Sequence, residues 1–160
     1  MKGFNISEKI FLNHNINDVW NTLSSKNALE LFHPFCLQND VIEYEKKDKL
    51  IYINGLTYIR EFTAWKPNEG FELNIGRENG KKSKVVWEIK DKDEGFIVKI
   101  SIFPYRTNKI PVFFYPLVSF FFIRPKLKQY LQSVLKGLKY YLYNNVKVEK
   151  NQFGKHSWFS

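Results

Sequence analysis

The chain has 160 residues, 44% hydrophobic and 26% charged, the size and balance of one folded domain, which excludes an intrinsically disordered segment. Its formal net charge is +9, confined to the last third: residues 1–105 carry 15 basic and 15 acidic side chains, whereas residues 106–160 carry 10 basic ones against Glu149 alone. A single cysteine, Cys36, excludes an internal disulfide and fits a reducing compartment, and the N-terminus has no signal-peptide pattern, so the expectation is a cytoplasmic protein.

The first element in chain order, Phe4 to Leu12, reads as a strand. Asn15-Ile16-Asn17-Asp18 then offers helix-cap chemistry, and Val19, Trp20 and Leu23 fall on one side of a short helix. A second helical stretch over Asn27 to Phe32 stops before Pro34, because a residue preceding proline avoids the α region. From Leu37 to Pro104 the pattern changes to six strands split by turn signals: Lys46–Lys49, Asn54-Gly55, Lys66–Gly70, Asn79-Gly80 and Asp91–Gly95. Short connections between consecutive strands require an antiparallel meander. Phe71, Leu73 and Ile75 share one face of their strand; so do Val85, Trp87 and Ile89, and Phe96, Val98, Ile100 and Ile102. One face of the sheet is therefore covered.

The cover is a helix between Lys126 and Asn145. Leu127, Tyr130, Leu131, Val134, Leu135, Leu138, Tyr141 and Leu142 recur at helical spacing, with Lys128, Gln132, Lys136 and Lys139 opposite. Gly137 interrupts the apolar stripe at a cost of about 1 kcal/mol against alanine and is expected to allow close packing on the sheet. No repeat or linker divides the chain, so residues 1–160 read as one domain. Residues 147–160 form a tail ending in Trp158-Phe159 that is expected to pack back on it.

This order of elements resembles the START-like, or SRPBCC, helix-grip superfamily of polyketide cyclase/dehydrase-like, lipid-transfer and pollen-allergen-like proteins. The residues that carry the likeness are Ile16–Trp20, Thr63–Asn68, Val86–Ile89 with Glu94-Gly95, and Leu131–Lys139. The resemblance implies an α+β fold in which a curved antiparallel sheet of about seven strands wraps a long C-terminal helix. It also implies a cavity between them that holds an apolar small molecule.

The 28 aromatic residues (15 Phe, 9 Tyr and 4 Trp) fit either a bulky core or an aromatic-lined cavity. The expected wall is Trp87, Phe96, Val98 and Ile100 from the sheet and Tyr130, Leu131, Val134 and Leu138 from the helix. Arg60 and Glu61 are adjacent on a strand and so point to opposite faces, with Tyr58 on Arg60's face and Trp65 on Glu61's. Tyr58 and Arg60 are taken as the polar members of the wall. His33 and Cys36 are two residues short of a zinc site and are read as packing residues. No nucleotide, hydrolase or metalloprotease signature is present, and neither a catalytic residue, a cofactor nor a metal is assigned.

Ile110 to Ile123 is uncharged for 14 residues and flanked by Lys109 and Arg124. It reaches only about 21 Å as a helix, too short for a bilayer core, and Pro111 and Pro116 interrupt it. Two readings stand: a loop and first helical turns folded over the cavity mouth, or an apolar wedge on a membrane. In the second, Phe113, Phe114, Phe120 and Phe121 insert, and Arg124, Lys126 and Lys128 meet anionic head groups. Nucleic acid is not the expected partner, since the basic helix face backs onto the sheet and no binding motif is present. The expected function is therefore to bind or carry an apolar molecule. A cyclase/dehydrase-like enzyme using a polar group in the same cavity is one alternative, and a peripheral membrane or protein-interaction module built on residues 110–128 is another.

Overall fold

The computed structural model describes residues 4–160. β1 (Ile6–Leu12) forms one edge of a seven-stranded sheet. α1 (Ile16–Ser24) and α2 (Leu29–Phe32) then carry the chain across to the opposite edge, β2 (Cys36–Glu43). From there β3 (Lys47–Tyr52), β4 (Thr57–Lys66), β5 (Gly70–Gly76), β6 (Ser83–Lys92) and β7 (Gly95–Phe103) return by successive hairpins. The antiparallel order is β1-β7-β6-β5-β4-β3-β2. The Asn15 side chain caps α1 by accepting from the backbone N–H of Asn17 at 2.8 Å, satisfying one of the donors a helix start leaves open. Gly55 takes the left-handed conformation (φ +85°) that closes the β3–β4 hairpin.

Register shifts at Cys36/Gln38, Val41/Glu43 and Phe62/Ala64 break the ladder, and such bulges bend a strand and sharpen its twist. The bulge in β4 has a second effect. It moves Trp65 from the face of Glu61, where simple alternation puts it, to the inner face, where its ring meets Trp20 at 5.6 Å, Phe62 at 5.0 Å and Phe71 at 5.3 Å. The same alternation places Tyr58 and Arg60 inside, with Glu61 outside between Lys47 and Lys82.

The covering helix is longer than the sequence pattern suggests. α3 (Tyr115–Val118), a π-helical turn (Ser119–Ile123) and α4 (Arg124–Asn144) run on without a break for 30 residues. Pro116 lies in the first turn of α3, where a missing N–H leaves no bond unmade. Pro125 follows the widened π turn, whose looser pitch accommodates the ring against the preceding turn. Asn145, at φ 51°, ends α4.

Gly137 packs against α2 and not against the sheet. A Cβ there would lie 2.0 Å from the carbonyl oxygen of Phe32 and 3.3 Å from Pro34 Cδ. Backbone therefore meets backbone at this crossing, and only glycine permits it. Beside it Phe32 packs edge-on to Trp87, and the core is solid through Trp20, Phe71, Leu131, Leu135 and Leu138. Gly137→Ala is expected to destabilise the fold by about 1–3 kcal/mol through overpacking, although alanine is the better helix former by about 1 kcal/mol. Urea denaturation checks the sign, and a stabilised variant would contradict the close approach.

Candidate functional site

The other half of the helix–sheet interface is hollow. A cavity of about 420 Å³ lies between the sheet and the N-terminal half of the long helix, a size ordinary for a small-molecule site. Ile123, Leu127, Tyr130 and Val134 form its roof. Its floor is Leu50 and Tyr52 of β3, Tyr58 and Arg60 of β4, Leu73 and Ile75 of β5, Val85 and Trp87 of β6, and Ile100 and Ile102 of β7. Arg77 and Lys81, in the β5–β6 turn, and Tyr105 and Thr107, beyond β7, border it, and all but half-buried Thr107 are exposed. Trp158 and Phe159 of the tail complete the wall, with Phe159 stacked on Tyr52 at 4.4 Å and on His156 at 5.0 Å.

One corner of this apolar space is polar. Arg60 donates to Asp48 through Nε at 2.7 Å and Nη2 at 2.5 Å, both side chains are buried, and the guanidinium lies over the Phe62 ring. The two charges cancel within a fork-shaped pair. His33, just past α2, is buried on the same wall. Its Nδ1 accepts from the backbone N–H of Phe35 at 3.2 Å, and its Nε2 lies 2.8 Å from the Tyr130 hydroxyl. Tyr130 in turn meets the Tyr52 hydroxyl at 3.1 Å. Burial, helped by the nearby Arg60 charge, pushes the His33 pKa down to about 3, so the ring is neutral. Burial raises the phenols of Tyr52, Tyr58 and Tyr130 above the usual tyrosine range.

Of the ten residues expected on the wall, Tyr58, Arg60, Trp87, Ile100, Tyr130 and Val134 lie there. Phe96, Val98, Leu131 and Leu138 do not. They share the inward faces but sit toward the solid end, where Val98, Leu131 and Leu138 are fully buried in the core. Periodicity fixes which way a side chain points and carries no information about depth along the strand. The sequence pattern reads His33 as packing and assigns no role to Tyr52 or Phe159, because the places of these three depend on contacts 97, 78 and more than 100 residues away in sequence. Cys36 is buried and its thiol is pushed up to about 12 by that burial, an inert packing residue rather than a nucleophile. Among the described residues no group of three or more His, Cys, Asp or Glu side chains is arranged to hold a metal ion.

Most of the apolar side chains between Val112 and Phe122 point outward. Phe113 is 86% exposed and Phe122 67%, with Phe114, Leu117, Phe120 and Phe121 all more than half exposed. Arg124 lies over the Phe4 ring, Lys126 is half-buried, and Lys128 sits 3.8 Å from Glu8. No helix among the described residues is long and apolar enough to cross a membrane.

No protein-family model and no curated protein matches the chain. Solved structures do. A START superfamily protein from Mycobacterium smegmatis superposes with a TM-score of 0.71 at 11% identity, over 90% of this chain and 100% of that one. DynU16, a protein of the dynemicin biosynthetic locus, gives 0.69 at 10% identity over 92% of this chain, which spans 51% of DynU16's length. Ara h 8.0201 gives 0.64 at 14% identity, over 89% and 99% of the two chains. The fold is thus START-like: an α+β helix grip of one seven-stranded antiparallel sheet and a long C-terminal helix.

The neutral His33 carries a pH signature. An unfolded histidine takes up its proton near pH 6.5, the folded one only near 3. Between those values the unfolded state binds more protons, so stability falls as pH falls, by about 1.4 kcal/mol per unit from this group. His156 is shifted down in the same direction by burial, so the comparison must be with a variant. His33→Gln should flatten the stability curve between pH 6 and 4 relative to the parent; parallel curves in that window would contradict a buried, neutral ring.

Proposed function

We propose that the chain binds or carries an uncharged, largely apolar small molecule in this cavity, acting in the cytoplasm. The carrying observation is the combination of a 420 Å³ aromatic and aliphatic hollow with one small polar corner. That is the composition a ligand site needs: apolar walls for affinity and a few placed polar groups for orientation. A cyclase/dehydrase-like enzyme would need a wall group that exchanges protons near neutral pH. His33 is driven far below that range, and the three tyrosines are raised above theirs, which favours holding a ligand over transforming it. The six wall residues that coincide with the sequence expectation, together with His33, Tyr52 and Phe159, are the proposed binding set.

A second reading rests on a separate observation, the exposed aromatic run of residues 113–122. The ends of this excursion, Tyr105 and Thr107 on one side and Ile123 on the other, border the cavity, so the apolar patch adjoins the ligand space. With Arg106, Lys109, Arg124 and Lys126 around it, this surface has the wedge-and-cation composition of reversible docking on an anionic bilayer. Phe113, Phe114, Phe120 and Phe121 are the proposed insertion residues; Phe122 and Leu117 join them.

Two measurements check these readings. A naphthalene-sulfonate probe, its ring in the hollow and its sulfonate at the exposed Arg77 and Lys81 border, is expected to bind the native protein at one saturable site with tryptophan quenching. Ile75→Trp, which fills the hollow, should weaken that binding about tenfold or more, equivalent to 1.4 kcal/mol; absence of saturable binding to the folded chain removes the cavity reading. Separately, the protein should pellet with phosphatidylserine-containing vesicles at low salt and less so at 0.5 M salt. Phe113→Ser/Phe120→Ser/Phe121→Ser should abolish pelleting, since each inserted ring contributes on the order of 1.5–3 kcal/mol. Failure of the parent protein to pellet at low salt would end the membrane proposal.

A further inference from the structure

Counting protons along the buried His33–Tyr130–Tyr52 chain gives an imbalance. His33 Nδ1 is occupied as an acceptor by the Phe35 N–H, so the single imidazole proton is on Nε2 and is donated to the Tyr130 oxygen. The two phenols add two more protons, making three donors. Only two hydrogen bonds join the three heteroatoms, at 2.8 and 3.1 Å, and neither hydroxyl has another protein partner among the described residues. One O–H is therefore left over. It belongs to Tyr52 when Tyr130 donates onward, and to Tyr130 when Tyr52 donates back. Both side chains are more than nine-tenths buried and both face the cavity.

Among the described residues no further acceptor is hydrogen-bonded to either hydroxyl, and the surroundings carry no net charge. Arg60 spends two of its five N–H groups on Asp48, leaving further donors on the same wall, while both Asp48 oxygens and His33 Nδ1 are already engaged. The guanidinium charge is cancelled at contact distance by Asp48, and burial keeps His33 uncharged. A buried donor without a partner is unfavourable by the desolvation of that group, and a ligand that accepts from it relieves the imbalance. An ionised head group at this corner would lose its hydration and meet no unpaired cation. The basic side chains that the cavity does have, Arg77 and Lys81, are exposed at its border.

We infer that the Tyr52–Tyr130 pair is a hydrogen-bond donor site for the uncharged carbonyl oxygen of a ketone, lactone or ester set at the buried end of an otherwise apolar ligand, and that it discriminates against fatty-acid-like carboxylates there. This inference deepens the binding reading above and rests on it.

Three probes of one shape test it: 2-acetylnaphthalene, 2-ethylnaphthalene and 2-naphthoate, titrated by tryptophan quenching at 0.5 M salt to screen Arg77 and Lys81. The ketone is expected to bind about three- to tenfold tighter than the hydrocarbon, the range one net hydrogen bond supplies, and tighter than the carboxylate. Its C=O stretch should move to lower frequency on binding. In Tyr52→Phe/Tyr130→Phe, ketone affinity should fall to within twofold of the hydrocarbon's, with the frequency shift lost. Unchanged hydrocarbon binding in that variant shows that the fold and cavity survive. Should the double substitution unfold the chain, infrared spectra of the parent protein decide alone: an unshifted C=O band overturns the inference. Equal binding of ketone and hydrocarbon, or tighter binding of the carboxylate, overturns it while leaving the cavity reading intact. Binding of none of the three overturns both.

Discussion

The contact between Gly137 and the Phe32 carbonyl sets the arrangement of everything above the sheet. At that crossing α2 and α4 approach until backbone touches backbone, so the C-terminal half of the helix is held down onto a core that fills by ordinary interdigitation of Leu131, Leu135, Leu138, Phe71 and Trp20. A single 30-residue helical run cannot follow a bent sheet along its whole length. Pinned at one end, it stands off at the other, and Ile123, Leu127, Tyr130 and Val134 face a gap that side chains only line. The hollow follows from that geometry, with no special cavity-forming motif required. Its size also limits what it can be. At about 24 cal/mol per Å³, a sealed dry void of 420 Å³ would cost about 10 kcal/mol, comparable with the whole stability of a domain. Such a space is tolerable only if it opens to solvent or is occupied.

The same pinning explains why polar groups survive inside. His33 is the residue after α2, so the crossing that locks Phe32 against Gly137 also aims the imidazole at Tyr130, two turns back along the helix. Tyr52 comes to the same point from β3. Each member of the row is positioned by a different element, and the row is fixed only when sheet, short helix and long helix are all in place. Asp48 and Arg60 sit on neighbouring strands in direct register, where cross-strand partners meet without help from the helix. A buried ion pair of this kind adds little stability over an apolar pair of the same volume. Its effect here is to put donors on the wall while leaving the net charge at zero.

How much of this was legible in the sequence depends on the range of the physics involved. Strand alternation at Phe71, Leu73, Val85, Trp87, Ile100 and Ile102 and the helical stripe from Leu127 to Leu138 named the covered faces correctly, because side-chain direction is a local property of the backbone. Depth is not local. Val98 and Ile100 share a face two residues apart, yet only Ile100 reaches the hollow. Trp65 was put on the wrong face because a bulge adds one residue to the count without leaving a mark in composition. The sequence pattern starts the helix near Lys126, since Pro125 and an uncharged run of phenylalanines do not look amphipathic; the π turn that joins them is visible only in the fold.

The tail shows the limit of local reading most clearly. Asn151 to Ser160 has no periodicity, yet His156 and Phe159 are buried and the backbone is tied down at both ends. The His156 ring contacts the Lys126 carbonyl, and Asn54 donates to the Trp158 carbonyl. These bonds, with Asn151 N–H donating to the Pro34 carbonyl and Gln129 to the Lys155 carbonyl, hold an aromatic pair over the hollow. Phe159 then stacks on Tyr52, with its ring centre 4.8 Å from that of Tyr130. That ring covers one side of the two phenols, whose other side faces the cavity. The last residues of the chain thus help bury the donor pair, and burial strengthens the bond that a ligand's carbonyl makes there.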